Sequence, residues 1–303
     1  VGAQIDACVS DIGVDAIKIG MLGSVRIAAA VAERLEALPG VPVVFDPVMI
    51  ATSGERVGQV NGLMVFQVGQ EMYGEPVRIS ATTRFGEGEV VDIQRETELG
   101  GPLHAKGVLI LSSFIAARYS RFHPHALSAS LVFEQTYGLV EGDSASLAEL
   151  LALLSSIAFV PVKQCFAVTG SVNQFGDVQA IGGVNEKIEG FFDICAARGL
   201  DGTHGVIVPR ANVAHLMLRD DVIAAVAAGR FQIHSVNHVD DAIELVSGLP
   251  SGDPMAPEPD SINGRIVARL RENALLRQGA RSRVQRGRRG PLRGPDQDHS
   301  GTS

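Results

Sequence analysis

Between residues 55 and 250, three β-branched stretches stand in a row behind Gly-rich turns: Gly62–Gly69, Pro76–Phe85 and Glu89–Gln94. After them, strand-like and helix-like segments alternate. The spacing predicts a helix over His104–Tyr119, a strand over Leu127–Phe133, a helix over Ser144–Phe159 and a strand over Cys165–Val172. A turn near Gly176-Asp177 follows, then a helix (Glu186–Arg198), a strand (Gly205–Val208), a helix (Asp220–Ala228), a strand (Phe231–Val236) and a helix (Val239–Ser247). An order of this kind specifies an α+β (mixed α/β) domain.

Two different zones flank it. In residues 1–54, Asp15–Met21 reads as a strand and Val25–Leu38 as a helix, with Ser24 as N-cap and Ile27, Val31 and Leu35 on one face. Val41–Phe45, closed by Asp46-Pro47, is a second strand. Strand, helix, strand is a βαβ unit with a parallel pair, too small to cover both faces of its sheet. Residues 251–303 open on a linker-like SGDPMAPEPD. A short basic helix follows, with Ile262, Ile266, Leu270 and Ala274 at helical spacing, and a tail after Gly279 is expected to be disordered.

At 303 residues the chain can bury roughly 70–75% of its unfolded surface, so no staple is required. Cys8, Cys165 and Cys195 are odd in number and form no C-x-x-C, which suits a reducing compartment. No basic leader and no long apolar span is present, so a cytoplasmic location is expected. The chain begins at Val rather than Met, which leaves room for a longer reading frame. Residues 1–250 carry a net charge of −12, which disfavours non-specific nucleic-acid binding. Residues 251–303 carry +4 from 10 Arg against 6 acids, so any contact with RNA or an acidic surface falls to this tail. The ordinary reading of such a tail is a solvated end.

The strongest chemical signal is Glu141-Gly142-Asp143-Ser144-Ala145-Ser146, followed at distance by Gly182-Gly183-Val184-Asn185-Glu186-Lys187-Ile188. A serine hydroxyl becomes a nucleophile only when a base takes its proton. Ser144 follows a Gly-Asp turn at the opening of an apolar helix, where free amide N–H groups can stabilise an oxyanion. The base can be His or Lys. Only four lysines occur, Lys18, Lys106, Lys163 and Lys187, against 22 Arg. A Lys serves as base only where burial lowers its pKa, and Arg never does. Lys187 lies beside Ile188, Phe191 and Phe192, which give its helix an apolar face. The plain alternatives are a capping box, Ser146-x-x-Glu149, with Ser144 as N-cap, and a surface Lys187. His104, His123, His125, His204, His215, His234 and His238 sit in no nucleophile-elbow pattern, no H-E-x-x-H exists, and each reads as structural or surface.

Order and spacing over about 190 residues resemble the proteolytic domain of the Lon peptidase family, in the branch with E-G-D-S-A-S. The resemblance runs through Val91-Asp92-Ile93, His104-Ala105-Lys106-Gly107, Ser128-Ala129-Ser130-Leu131 and Glu141–Ser146. It continues through Ala167-Val168-Thr169-Gly170-Ser171-Val172, Ile181-Gly182-Gly183, Glu186-Lys187 and Val208-Pro209. It implies a Lon-type fold over 55–250, with Ser144 as nucleophile, Lys187 as general base and Thr169 beside the lysine. Gly142 and Asp143 would support the oxyanion with Ser144. It further implies peptide or unfolded-protein substrates and a ring of six, here a weak homo-oligomer. Family members use ATP and Mg through a motor. No G-x-x-x-x-G-K-[ST] occurs in these residues, so no cofactor is expected for this chain.

Residues 1–54 are similar to another family. Lys18–Ser24 and Val44–Gly54 resemble hydroxymethylpyrimidine phosphate kinase, of the ribokinase-like fold. The opening strand of that fold and its G-x-G-D anion hole with the catalytic Asp are missing, so phosphotransfer by this chain would be a surprise. The alternatives to a Lon-like endopeptidase are therefore a kinase fragment and an inactive hybrid, joined near Ser53-Gly54-Glu55-Arg56.

Overall fold

The computed structural model describes residues 2–19, 25–45, 50–68, 71–86, 88–119, 127–136 and 138–288. Helix α1 (Gly2–Ile12) precedes strand β1 (Ile17–Ile19), helix α2 (Val25–Glu36) and strand β2 (Val43–Phe45). β1 and β2 pair in parallel, with Ile17 opposite Val43, as the βαβ reading predicts. α1 is an addition to that reading. Ile5, Cys8 and Val9 give it an apolar side toward β1 and α2, although none of its residues is fully buried. The expected N-cap Ser24, the strand end at Met21 and the Asp46-Pro47 stop lie outside the described residues.

From residue 55 the chain builds a mixed sheet. Strands β3 (Glu55–Val57), β4 (Gln59–Val68), β5 (Glu71–Phe85) and β6 (Val90–Asp92) lead into α3 (Ile93–Glu96), α4 (Pro102–Tyr119) and β7 (Leu127–Phe133). Helix α5 (Ser146–Ala158) is followed by β8 (Pro161–Lys163), β9 (Phe166–Val168), the short pair β10 (Ser171–Val172) and β11 (Val178–Gln179), and α6 (Val184–Arg198). Strand β12 (Gly205–Pro209), a 3-10 turn (Arg210–His215), α7 (Asp220–Ala227), β13 (Gln232–Val236), α8 (Val239–Ser247) and α9 (Ile262–Arg288) complete it.

The main sheet runs β13-β12-β9-β4-β5-β7-β6. Its β13, β12, β9 and β4 neighbours are parallel, β5 is antiparallel to both β4 and β7, and β6 returns parallel to β7. Alternate residues feed two cores, as strand geometry requires. Ile207 and Val168 face the layer of α4, α5, α8 and α9, while Val206, Val208 and Ala167 face α6 and α7. α5 is buried along its whole length, which is why its sequence is apolar on every side.

Most element ends shift by a few residues from the sequence reading, and three segments differ in kind or extent. Glu89–Gln94 does not stay a strand, because the Asp92 carboxylate accepts the Gln94 N–H and caps a helical turn. Cys165–Val172 breaks into β9 and β10, with Thr169-Gly170 stepping off the sheet between them. α9 carries Ile262, Ile266, Leu270 and Ala274 on its buried side, as expected, but runs past Gly279 to Arg288. Residues 289–303 lie outside the described residues. Among the described residues no helix is long and apolar enough to cross a membrane.

Candidate active site

The Glu141–Ser144 turn is made possible by Gly142, whose φ of +84° suits glycine and few other residues. Ser144 then sits two residues ahead of α5, whose N-cap is Ala145 without a side-chain hydrogen bond. This corrects the capping reading: Ser144 is no N-cap, and Ser146 with Glu149 forms no capping box. Ser146 is the first helical residue, and its Oγ instead accepts the Val172 N–H at 3.0 Å. Backbone bonds fix the turn. Gly170 N–H donates to the Ser144 carbonyl at 2.8 Å, and Leu147 N–H to the Gly170 carbonyl at 3.0 Å.

Lys187 comes from the other face of the sheet, in the first turn of α6. Its side chain is 2% exposed. The ammonium Nζ is 2.8 Å from Ser144 Oγ and 3.1 Å from Thr169 Oγ1. Thr169, fully buried at the end of β9, donates its own hydroxyl to the Ser144 carbonyl at 3.1 Å. The reading of Lys187 as a surface residue is therefore overturned. Its depth depends on two glycines. α6 lies directly on β5, so close that a Cβ on Gly190 would meet the Gly74 carbonyl oxygen at 1.7 Å.

Burial lowers the Lys187 pKa from its ordinary value to about 8, while the nearby Asp143 charge opposes the fall. The Asp143 carboxylate is occupied elsewhere, accepting the Ser171 hydroxyl at 2.8 Å. Ser171 is a residue that the sequence reading passed over, although it stands within the quoted Thr169-Gly170-Ser171 stretch. The three expected groups Ser144, Lys187 and Thr169 thus meet, with Gly142 and Asp143 on the same turn. Ser144, Lys187, Gly142 and Asp143 line a cleft of about 490 Å³ with Val65 and Met72 from the β4–β5 hairpin and Ile181 and Gly182 opposite, while Thr169 lies buried behind them.

The histidines lie elsewhere. His104 is buried beside Asp92 and Glu149. His204 lies beside Asp201, and His238 caps α8. His123 and His125 lie outside the described residues. Among the described residues no group of His, Cys, Asp and Glu is arranged to hold a metal ion. What this arrangement can do chemically is proton transfer between a buried amine and a hydroxyl at the floor of an open cleft.

Comparison with known proteins points in two directions. A family model described as phosphomethylpyrimidine kinase matches residues 1–67. Its last residues fall on β3 and most of β4, which pair with β8, β5 and β9. A putative Lon protease homolog of Escherichia coli K12 is 49% identical over 209 residues, covering 68% of this chain and 36% of that protein. Another from Haemophilus influenzae Rd is 47% identical over 237 residues, 77% of this chain and 39% of the relative. An archaeal Lon protease of Thermococcus kodakarensis is 31% identical over 220 residues, 72% of this chain and 31% of its own. The chain thus spans well under half the length of these relatives.

Proposed function

Because this chain belongs, over roughly two thirds or more of its length, with the Lon proteases, we propose that it is a serine endopeptidase working through Ser144 and Lys187. The observation that carries the reading is the 2.8 Å contact between a buried, pKa-lowered amine and the hydroxyl. Neutral Lys187 accepts the Ser144 proton as Oγ attacks the carbonyl carbon of a bound peptide. Charge develops on the carbonyl oxygen, where the amides of the Gly142–Ser144 turn stabilise it. As the C–N bond breaks, Lys187 returns the proton to the leaving amine, and an acyl-Ser144 ester remains. Water, deprotonated by the same lysine, attacks the ester and releases the acid. Thr169 orients Nζ and holds the Ser144 carbonyl.

Nothing in this scheme calls for a cofactor. The substrates in this reading are peptides and unfolded proteins, the class that the Lon resemblance implies. Weak self-association and a cytoplasmic setting complete the reading, the latter in keeping with three free cysteines. The test is labelling by a fluorophosphonate, read by peptide mapping, alongside hydrolysis of an unfolded casein-type substrate. Labelling at Ser144 with turnover supports the assignment. Absence of both favours an inactive hybrid. The kinase match over residues 1–67 favours phosphotransfer as the second reading, although no G-x-G-D is present. Transfer of phosphate from ATP to a hydroxymethylpyrimidine would establish it.

A further inference from the structure

A second cluster of ionisable groups lies under the nucleophile turn, outside the cleft. Three side chains from three elements meet there. Asp92 ends β6, His104 is in the first turn of α4, and Glu149 is in the first turn of α5. Each is 1% exposed. His104 Nε2 lies 3.1 Å from Asp92 Oδ2, and Nδ1 lies 3.6 Å from Glu149 Oε1. Nε2 and Oδ2 are within hydrogen-bond distance but imperfectly aligned, and Glu149 Oε1 has no hydrogen-bond partner, so the Glu149 contact is one of charge. The ring edge also packs on Phe133 at 5.4 Å between centroids. Besides Asp92 and Glu149, Glu141 acts on His104 through its charge, and Asp143 acts on Glu149.

The same face of α4 touches the nucleophile turn directly. One turn on from His104, a Cβ on Gly107 would sit 3.4 Å from Asp143 Cβ and 3.8 Å from Ser146 Cβ. At the helix start, the Leu103 N–H approaches the Glu141 carboxylate at 3.4 Å. The spacing between α4 and α5 therefore sets where the Glu141–Ser146 turn rests. The His104 cluster lies in that interface, at the end nearest the turn, beside the apolar packing of Val108 and Leu111 with Leu147 and Leu151.

We propose that His104, wedged between Asp92 and Glu149, is a positioning residue: it clamps α4 to α5 and so holds Ser144 at its distance from Lys187. The imidazole lies between two buried acids, Asp92 at the end of β6 and Glu149 on α5, and offsets their charge. Burial works against charging the imidazole, but the two acids outweigh it and raise its pKa. The proposal rests on the protease reading for its kinetic consequence, and on geometry alone for its structural one.

The experiment compares the full chain with His104→Gln, Glu149→Gln and the double variant. Each is followed by peptide hydrolysis and by amide hydrogen exchange of peptides covering residues 141–147. His104→Gln is expected to lower kcat about tenfold or more through misplacement of the nucleophile, with KM little changed. Exchange should quicken in 141–147 and not in β12. The double variant removes the opposed charge and should recover most of the lost kcat, a coupling that loss of the ring alone would not produce. Unchanged kcat and unchanged exchange in a folded His104→Gln variant overturn the clamp, as does absence of recovery in the double variant. If His104→Gln does not fold, Glu149→Gln decides: it must quicken exchange in 141–147 relative to β12, and equal exchange overturns the idea. Exchange needs no substrate, so a parent chain that cleaves nothing defeats the protease reading while the clamp is still tested.

Discussion

At the scale of single residues, the decisive contrast is between two buried ionisable groups, Lys187 and Glu149, which burial shifts in opposite directions. Lys187, lowered to about 8 by burial, is the group whose loss of a proton should switch turnover on. Peptide hydrolysis is expected to rise with pH along a limb centred near 8. Lys187→Arg should abolish it, because guanidinium keeps its proton. Ser144→Ala should abolish it too. Since Ser144 caps no helix, that variant should change stability by only about 1 kcal/mol, the worth of one hydrogen bond. A Lys187→Arg variant with substantial turnover would rule out the dyad. Glu149 shows the stability side of burial. Removal from water lifts its carboxyl from 4.5 to about 7. The folded state therefore binds more protons than the unfolded state between those values, and stability falls as pH rises through that window. His104, raised above 6.5, adds a loss in the same direction above that value. Thermal midpoints from pH 5 to 8 should fall less steeply in Glu149→Gln than in the parent, and parallel slopes would contradict this origin.

At the scale of elements, the site is a junction of helix starts on opposite faces of one sheet. α5 delivers Ser144 from one side, and α6 delivers Lys187 from the other, just past the end of β9. The close seat of α6 on β5 makes that junction possible. Adding a methyl at Gly190, where Cβ would meet the Gly74 carbonyl at 1.7 Å, must lift α6. Gly190→Ala is expected to cost about 1–3 kcal/mol, as overpacking does. Under the dyad proposal it should also depress kcat by withdrawing Nζ from Ser144. Denaturant unfolding and peptide kinetics together check this, and a variant with parent stability would show that the contact yields easily. The β4–β5 hairpin, ten residue pairs long, supplies Val65 and Met72 to the cleft wall.

At the scale of the whole molecule, the two parts are built to different standards. The body has two extensive cores on either face of a seven-stranded sheet. The segment before it has a two-stranded sheet, a helix without buried residues and an apolar cleft of about 350 Å³ between α1, β1 and α2. A sheet of two strands is marginal by itself. Limited proteolysis is expected to trim residues ahead of Ile50 before it cuts the body. The trim should stop there, because Ile50 joins the core under α6 and the Ile50 carbonyl accepts from Arg198 at 3.0 Å. Equal resistance of both parts would contradict this. Weak self-association, proposed from the Lon resemblance, is checked by sedimentation at rising concentration, and a strict monomer throughout counts against it.

The sequence by itself determined the elements and the chemical identity of the candidate site. Periodicity located strand Leu127–Phe133 and helix Val239–Ser247 to the residue, because both alternate or repeat cleanly against a core. Ser144 and Lys187 were legible as a motif and a rare residue type, 43 positions apart. Whether Lys187 was a buried base or a surface cation was not legible, since burial belongs to the packing of α6 on β5 and not to local pattern. The fate of Ser146 and Glu149 was hidden for the same reason. Their spacing satisfies a local capping rule, but β10 and His104 offer them partners that only the folded chain brings near. Local hydrogen bonding and periodicity are written in neighbouring residues. Desolvation, and the pKa values that follow from it, are properties of what the rest of the chain places around a group.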